Sequence, residues 1–343
     1  MVYKGSMVRF ILIIALIFPL YVAADENITA ASYLLVEADS FDIISGKDYH
    51  LKLPPASTTK VMTTIVAIEN LNGDEMIVPN RKVIKFPRSK LYLIPGKKYT
   101  SIDLIKGAMI ESANDAAYTL ASYIGGTEEN FAQMMNEKAK EIGARNTQFK
   151  NASGLFVDGQ HTTCYDLALM FKYALSNDRF KEIVTMKYFL FQNNKKSVTY
   201  KNHNRFLFCF GPAIGGKTGF TRASKYCYVG AFEKDEKVYI LSLLGSKDLW
   251  GDAVEILREL YEKLPSEKEI KQAKANSITL SSFKKTKDKK PVVKKKYKKF
   301  KKSKKKSATL SSFKKTKDKK PVVKKKYKKF KKSKKKSADL NEV

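Results

Sequence analysis

Residues 279–308 recur without a single change as residues 309–338, and this tandem repeat restricts where the chain can fold. Each copy holds 15 Lys and one Asp, so the two copies carry +28 of the formal net charge of +32. Only +4 is left for the rest of the chain. A segment with so few apolar residues and so many like charges cannot bury a core. We therefore expect residues 265–343 to form a disordered basic tail, with folding confined to the chain before it.

The first 24 residues have the pattern of an export signal. Lys4 and Arg9 form a basic start, an apolar run covers residues 10–22, and Ala23 and Ala24 are the small residues expected at a cleavage site. The run is shorter than the roughly 20 residues of a spanning helix. An uncleaved membrane anchor is the alternative. Both readings place the body outside the cytoplasm, in the periplasm or cell envelope.

The body, residues 25–264, shows strand patterns at both ends and helix patterns between them. The predicted strands are 32–39, 41–45, 214–221, 226–233 and 238–245, the last two joined by the turn Lys234-Asp235-Glu236. The predicted helices begin near Ala56 or Ser57, cover 103–124 with a break at 111–114, and recur at 130–142, 166–174 (Asp166 as N-cap) and 248–264. This order predicts an α+β domain, in which helices flank an antiparallel sheet.

Three cysteines, Cys164, Cys209 and Cys227, leave at least one thiol unpaired. Cys209 and Cys227 fall on predicted strands and could pair, but a free thiol in the core is the favoured interpretation. None of the three has the spacing of a metal site. We therefore expect neither a metal nor another cofactor.

The first motif with chemical meaning is Ser57-Thr58-Thr59-Lys60 at the start of a predicted helix. The i to i+3 spacing places the hydroxyl and the amine on one helix face. Burial lowers the pKa of a lysine, so that the neutral amine can accept the hydroxyl proton. Alone the motif is weak, because Ser-x-x-Lys also arises in the tail by composition.

Two further motifs follow in the chain. Ser112-Ala113-Asn114 lies at the break between two predicted helices, where a hydroxyl can relay a proton and an amide can hold a carbonyl group. Lys217-Thr218-Gly219 lies on a predicted strand, where a cation and a hydroxyl can receive a carboxylate and the glycine permits close approach. Separately they read as a polar helix break and a glycine-rich turn. Together, and in this order, the three motifs are typical of penicillin-binding proteins and class A β-lactamases.

The body resembles the low-molecular-weight penicillin-binding D-Ala-D-Ala carboxypeptidases, the serine peptidases related to penicillin-binding protein 5. The likeness runs from about Ala30 to Leu264 and includes these segments: PPASTTKVMT, MIESANDAAYTLASYI, MNEKAKEIGARNTQFKNASGL and GGKTGFTRASKYCYVGA. It implies the penicillin-binding/β-lactamase-like transpeptidase fold, with a helical cluster beside the sheet. It also implies peptidoglycan stem peptides as substrates and β-lactam antibiotics as covalent inhibitors.

The resemblance also implies roles for individual residues. Ser57 would attack the carbonyl between two D-alanines with Lys60 as base, and Ser112 would pass the proton to the leaving D-alanine. The remaining roles concern substrate binding: Asn114 for the peptide backbone, Lys217 and Thr218 for the terminal carboxylate, and the N–H groups of Ser57 and Phe220, beside Gly219, for the oxyanion. Arg205 matches an arginine near the carboxylate, with an ordinary surface arginine as an equal alternative. Asp166 matches a structural aspartate.

Two departures and three alternatives accompany the resemblance. The middle motif reads SAN where relatives have SGN or SDN. Some relatives carry a second arginine after the last strand, and KDLWGDAVEILREL has none in the matching place. A class A-like β-lactamase would add a glutamate for deacylation, but no clear Glu-x-x-x-Asn loop separates Ser112 from Lys217. A cross-link endopeptidase would use the same residues. The third, non-enzymatic, alternative is a polybasic envelope-binding protein.

The tail has its own candidate partners. Its Tyr and Phe among lysines suit nucleic acid or anionic lipid, and Val293, Tyr297 and Phe300 have the spacing of a basic amphipathic helix. The export signal argues against nucleic acid. We expect an anionic membrane or envelope polymer, with a merely solvated tail as the alternative.

Overall fold

A computed structural model describes residues 27–193 and 196–274 of the protein. The helices and strands in chain order are β1 (Ser32–Glu37), β2 (Ile43–Lys47), α1 (Lys60–Asn70), β3 (Met76–Ile77), β4 (Tyr99–Thr100), α2 (Ser101–Ile110), α3 (Asn114–Gly125), α4 (Glu128–Ile142), α5 (Cys164–Leu175), α6 (Asp178–Val184), β5 (Tyr188–Asn193), β6 (Lys196–Lys201), α7 (Phe206–Cys209), β7 (Ala213–Thr221), β8 (Lys225–Lys234), β9 (Lys237–Ser246), α8 (Leu249–Leu257) and α9 (Glu267–Lys274). The α+β class with an antiparallel sheet is confirmed.

The central sheet joins the two ends of the body. Its five strands lie in the order β2-β1-β9-β8-β7, and each neighbouring pair is antiparallel. The predicted β8–β9 turn closes with Lys234 opposite Lys237, and its two central residues, Asp235 and Glu236, both have positive φ. Such a two-residue loop matches the twist of the flanking strands. Strand β7 is at the edge of the sheet, and it carries the Lys-Thr-Gly motif.

The sheet has an apolar layer on each face because its side chains alternate. Leu34 and Val229 point into the larger core, which the helices α1 to α6 complete. Leu35 and Tyr228 point into the smaller core, together with side chains of α8 and α9. The period of two along β1 and β8 thus divides the domain into two layers around the sheet.

The folded body continues beyond the predicted end at Leu264. Helix α9 places Ile270 in the smaller core, and Lys201 donates a short hydrogen bond to the carbonyl of Ala273. The predicted helix at 248–264 is correspondingly shorter, since α8 ends at Leu257. One amphipathic turn in an otherwise charged segment was too weak a signal to predict α9.

Two local predictions were wrong. The N-cap of α5 is Thr163, whose hydroxyl accepts from the N–H of Asp166, so Asp166 lies inside the first turn. Cys209 lies in α7 instead of a strand and packs on the smaller core, whereas Cys227 packs in the larger core across the sheet. The sheet between them prevents a disulfide, and both thiols are free.

The predicted export signal (residues 1–24) and the basic repeats lie outside the described residues. Within the described residues, none of the helices combines the length and the apolar character that a membrane crossing requires.

Candidate active site

Ser57 lies at the tip of a short 3₁₀ helix, Ala56–Thr59, that runs directly into α1. The preceding residue, Ala56, has a φ of +47°, in the left-handed region that non-glycine residues adopt only at a cost of about 1–2 kcal/mol. This turn leads the chain from Pro55 into the helix, and Ser57 stays partly exposed while its neighbours are buried. The sequence prediction of a helix start here is confirmed.

Lys60 is fully buried, and its amine has three partners. The Nζ atom lies 2.9 Å from Ser57 Oγ, 2.9 Å from Asn114 Oδ1 and 2.6 Å from the carbonyl oxygen of Ser153. Burial lowers the pKa of Lys60 well below its ordinary value, and the nearby charge of Lys217 lowers it further. A neutral amine has two N–H donors and one lone pair. In that state the two carbonyl oxygens would accept both N–H groups, and the lone pair would be left for the hydroxyl of Ser57.

Ser153 is a site residue that the sequence analysis did not assign. Its segment, Asn151-Ala152-Ser153-Gly154, is held in a tight turn in which Asn151 Oδ1 accepts from the backbone N–H groups of Ser153 and Gly154 at 3.1 and 2.7 Å. The adjacent carbonyl of Ala152 accepts from Thr63 on α1 at 2.7 Å. The Asn-x-Ser-Gly pattern is a turn signal, but only the fold brings this turn to Lys60.

Gly154 allows that turn to press against the start of the Ser57 helix. Its φ is +79°, and a Cβ atom there would lie 1.8 Å from the carbonyl oxygen of Ala56. No other residue type fits this contact.

Asn114 connects Lys60 to the loop before α2. Its Oδ1 accepts from Lys60, its Nδ2 donates to the carbonyl of Arg88 at 3.2 Å, and its backbone N–H donates to the carbonyl of Ser89 at 2.8 Å. One N–H of the side-chain amide remains for a substrate carbonyl. The predicted helix break is confirmed, and Ser112 within it has a φ of +63°.

Lys217 on β7 forms the second amine centre. It is 1% exposed, and its Nζ lies 2.9 Å from Ser112 Oγ and 2.8 Å from the carbonyl oxygen of Thr218. Burial lowers the pKa of Lys217 to about 7, and the carboxylate of Glu111 opposes that shift. Lys217 is therefore a cation that titrates near neutrality, beside a hydroxyl.

The edge strand β7 contacts the Ser57 helix directly. A Cβ atom at Gly219 would lie 2.8 Å from the backbone nitrogen of Ser57 and 2.9 Å from the side chain of Ala56. Glycine at this position therefore lets the strand reach the nucleophile candidate. The next residue, Phe220, is 55% exposed and packs on Tyr226, with ring centroids 4.6 Å apart.

Two predicted residues lie away from this hydrogen-bonded group. The guanidinium of Arg205 stacks over the Trp250 ring at 5.2 Å, and in the described part of the chain it has no hydrogen bond to Lys217 or Thr218. Asp166 accepts from Asn146 and Thr147, both at 2.7 Å, and so fastens the loop before it.

The site has a hydroxyl beside a buried amine, and a second hydroxyl–amine contact between the α2–α3 break and the edge strand. This arrangement is typical of serine acyl-transfer sites of the penicillin-binding and β-lactamase class. The family model described as D-alanyl-D-alanine carboxypeptidase, peptidase S11, matches residues 20–248. The chain belongs to this family, as the sequence resemblance predicted.

Curated relatives and solved structures agree with the family. D-alanyl-D-alanine carboxypeptidase DacF of Bacillus subtilis is 34% identical over 224 residues, covering 63% of this chain and 57% of that protein. DacB2 of Mycobacterium tuberculosis is 30% identical, covering 65% of this chain and 79% of that protein. The structure of a D-alanyl-D-alanine carboxypeptidase from Mycobacterium tuberculosis superposes with a TM-score of 0.65 at 28% identity, over 69% of this chain and 94% of that one.

Proposed function

We propose that this protein is a serine D-Ala-D-Ala carboxypeptidase that removes the terminal D-alanine from peptidoglycan stem peptides through an acyl-enzyme on Ser57. The observation that carries the proposal is the partner set of Lys60. Its Nζ atom contacts two carbonyl oxygens, which can only accept hydrogen bonds, and lies 2.9 Å from Ser57 Oγ, so that a neutral amine would direct its lone pair at the hydroxyl.

In the acylation step, Ser57 Oγ attacks the carbonyl carbon between the two D-alanines while its proton moves to Lys60 Nζ. The backbone N–H groups of Ser57 and Phe220 stabilise the oxyanion, a contribution worth about 10²–10³ in rate for one donor in other acyl-transfer enzymes. The C–N bond then breaks, and the departing amine takes a proton from Ser112. Ser112 receives in turn the proton that Lys60 took from Ser57, so both residues return to their starting protonation states. Water later hydrolyses the ester and restores the hydroxyl of Ser57.

The second amine centre suits the terminal carboxylate of the substrate. Protonated Lys217 and the hydroxyl of Thr218 bind this group, and the hydrogen bond from Lys217 to Ser112 connects carboxylate binding to the proton relay. Asn114 binds the peptide backbone through its remaining N–H. Arg205, which stacks on Trp250 at the start of α7, is proposed to contribute to binding of the carboxylate, as the resemblance implies.

We further propose that the protein is exported to the periplasm or cell envelope by residues 1–24. The basic repeats would retain it on an anionic membrane or envelope polymer. Deletion of residues 279–338 should then reduce envelope retention while cleavage of a soluble peptide stays unchanged. Loss of peptide cleavage on deletion would instead make the tail part of the enzyme.

The test is covalent labelling by benzylpenicillin followed by intact mass measurement and mapping of the modified peptide. We expect one adduct, on the peptide that contains Ser57, and release of D-alanine from diacetyl-Lys-D-Ala-D-Ala that a chelator does not inhibit. A long-lived adduct distinguishes this enzyme from a β-lactamase, which would turn penicillin over. An endopeptidase would prefer a cross-linked dimer to this peptide.

Ser57→Ala should abolish labelling and D-alanine release while the fold persists. Ser176→Ala is the matched control, because its hydroxyl makes an exposed bond to the carbonyl of Tyr173 at the end of α5. Persistent labelling of Ser57→Ala would remove Ser57 from the nucleophile role.

A further inference from the structure

The segment before α2 contains basic residues and no acidic residues that would offset their charge. Between residues 76 and 102 the chain has seven Lys or Arg and no Asp or Glu. All seven lie in residues 81–98, which we call the basic loop. Five of these cations are exposed and have no ion pair within the described residues: Arg81, Lys82, Lys85, Arg88 and Lys98.

The basic loop is fastened to the active site. The buried carboxylate of Asp115 accepts from the N–H groups of Leu91 and Leu93, both at 3.0 Å. The carbonyls of Arg88 and Ser89 accept from Asn114, which in turn accepts from Lys60. The basic loop therefore borders the site. The side chain of Asn114 links the backbone carbonyl of Arg88 to the amine of Lys60.

The positive charge of the basic loop is less offset by carboxylates at the end next to Asn114 than at the other end. Lys82, towards the other end, lies near the carboxylates of Glu128 and Glu129, whose charges partly offset its own. Lys90 donates to the carbonyl of Phe86 at 3.0 Å and so braces the loop. Lys85 and Arg88 have neither a carboxylate nor a bracing contact, so their charge is available to a ligand.

The proposed orientation of the substrate indicates which chemical group would contact Lys85 and Arg88. In the proposed function Lys217 binds the terminal carboxylate and Asn114 binds the peptide backbone. The residues before the scissile bond would then pass Asn114, which contacts the basic loop at Arg88 and Ser89. We infer that Lys85 and Arg88 bind a carboxylate on the peptide substrate, N-terminal to the D-Ala-D-Ala bond, and so select acidic peptides. This inference rests on the proposed function and adds a specificity element to it.

The test compares two peptides, acetyl-Glu-Lys(acetyl)-D-Ala-D-Ala and the same peptide with Gln in place of Glu. The wild-type enzyme should have a KM about three- to tenfold lower for the Glu peptide, as expected of one or two exposed ion pairs, and added salt should remove the preference. Lys85→Gln/Arg88→Gln should raise KM for the Glu peptide by that factor. The double substitution should leave kcat for both peptides and KM for the Gln peptide unchanged.

Two variants control for charge and for structure. Lys263→Gln/Lys268→Gln removes two exposed charges between α8 and the body of α9 and should keep the preference. Lys85→Arg/Arg88→Lys keeps the charge of the basic loop and should also keep the preference for the Glu peptide. Equal KM values of the wild-type enzyme for the two peptides would overturn the inference while leaving the carboxypeptidase proposal intact, whereas failure to release D-alanine from either peptide would refute the proposed function itself.

A lipid surface is the other occupant that the test detects. Exposed Ile84 and Tyr92 accompany the cations of the basic loop, so binding to vesicles of phosphatidylcholine and phosphatidylglycerol is measured for the same variants. Loss of vesicle binding in Lys85→Gln/Arg88→Gln, with the peptide preference unchanged, would overturn the inference in favour of membrane contact.

Discussion

The amine of Lys217 lies 2.9 Å from the hydroxyl of Ser112, a residue that precedes it by 105 positions in the chain. Ser112 reaches this place because the break between α2 and α3 turns its backbone into the left-handed region. Lys217 reaches it because β7 is the edge strand of the sheet. The pair joins a titrating cation to the proton relay, and the first prediction follows from that titration.

The pH dependence should have an alkaline limb set by Lys217. Its pKa is lowered to about 7, so the cation that binds the substrate carboxylate is present below pH 7 and is lost as the pH rises through that value. The kcat/KM for D-alanine release should therefore fall above about pH 7, approaching tenfold per pH unit. Measured kcat/KM that stays flat from pH 7 to pH 9 would contradict this role.

Glu111 should control the position of that limb. Its carboxylate lies 3.6 Å from Nε2 of His203. The charge of this carboxylate raises the pKa of Lys217 and so opposes the effect of burial. Glu111→Gln removes this charge, so the alkaline limb should move to lower pH. Glu255→Gln is the control, since Glu255 pairs with Arg258 on α8 at 2.8 Å. A pH profile that is the same for Glu111→Gln and the wild type would exclude this electrostatic coupling.

Lys60→Met should slow acylation in a protein that still folds. The variant keeps the volume of a fully buried side chain but has no basic amine, so acylation by penicillin should slow by about 10²–10⁴, the range of general-base catalysis. The carbonyl oxygens of Asn114 and Ser153 lose their donor, at a cost of about 1–3 kcal/mol each, while the desolvation cost of the amine disappears. Stopped-flow acylation and thermal unfolding are the measurements. Acylation at the wild-type rate would assign the base elsewhere.

Gly154→Ala and Gly159→Ala form a matched pair that tests the contact beneath Ser57. Both glycines have a φ of +79°, but a Cβ at Gly154 would lie 1.8 Å from Ala56 O, whereas at Gly159 the nearest atom is 3.7 Å away. Gly159→Ala should therefore show only the backbone strain, about 1–2 kcal/mol, with normal acylation. Gly154→Ala should lose more stability and most acylation, because the Ser57 turn must move. Equal effects of the two substitutions would show that the contact has no catalytic consequence.

Much of the site could be predicted because its parts are local. The Ser57 motif, the helix break at Ser112 and the strand carrying Lys217 each follow from periodicity and spacing over a few residues, and all three appear where they were expected. The contribution of Ser153 was not predicted. Its backbone carbonyl could be supplied by any residue type, so its chemistry leaves no trace in the side-chain pattern.

Cys209 marks the limit of such prediction. It was placed on a strand, but α7 packs it against the smaller core, across the sheet from Cys227. The role that the resemblance implies for Arg205, which stacks over Trp250, stays a prediction. Which face of a sheet a short helix covers depends on the packing of distant elements, and no local pattern encodes it.

The sequence by itself determined the elements, their order, the charge segregation and the identity of the reactive groups, because backbone preferences and side-chain chemistry act over short ranges. The tertiary structure decided which groups meet and in what ionisation state. Exclusion of water lowers the pKa of a lysine amine, and Lys60 and Lys217 are buried by elements from across the whole body.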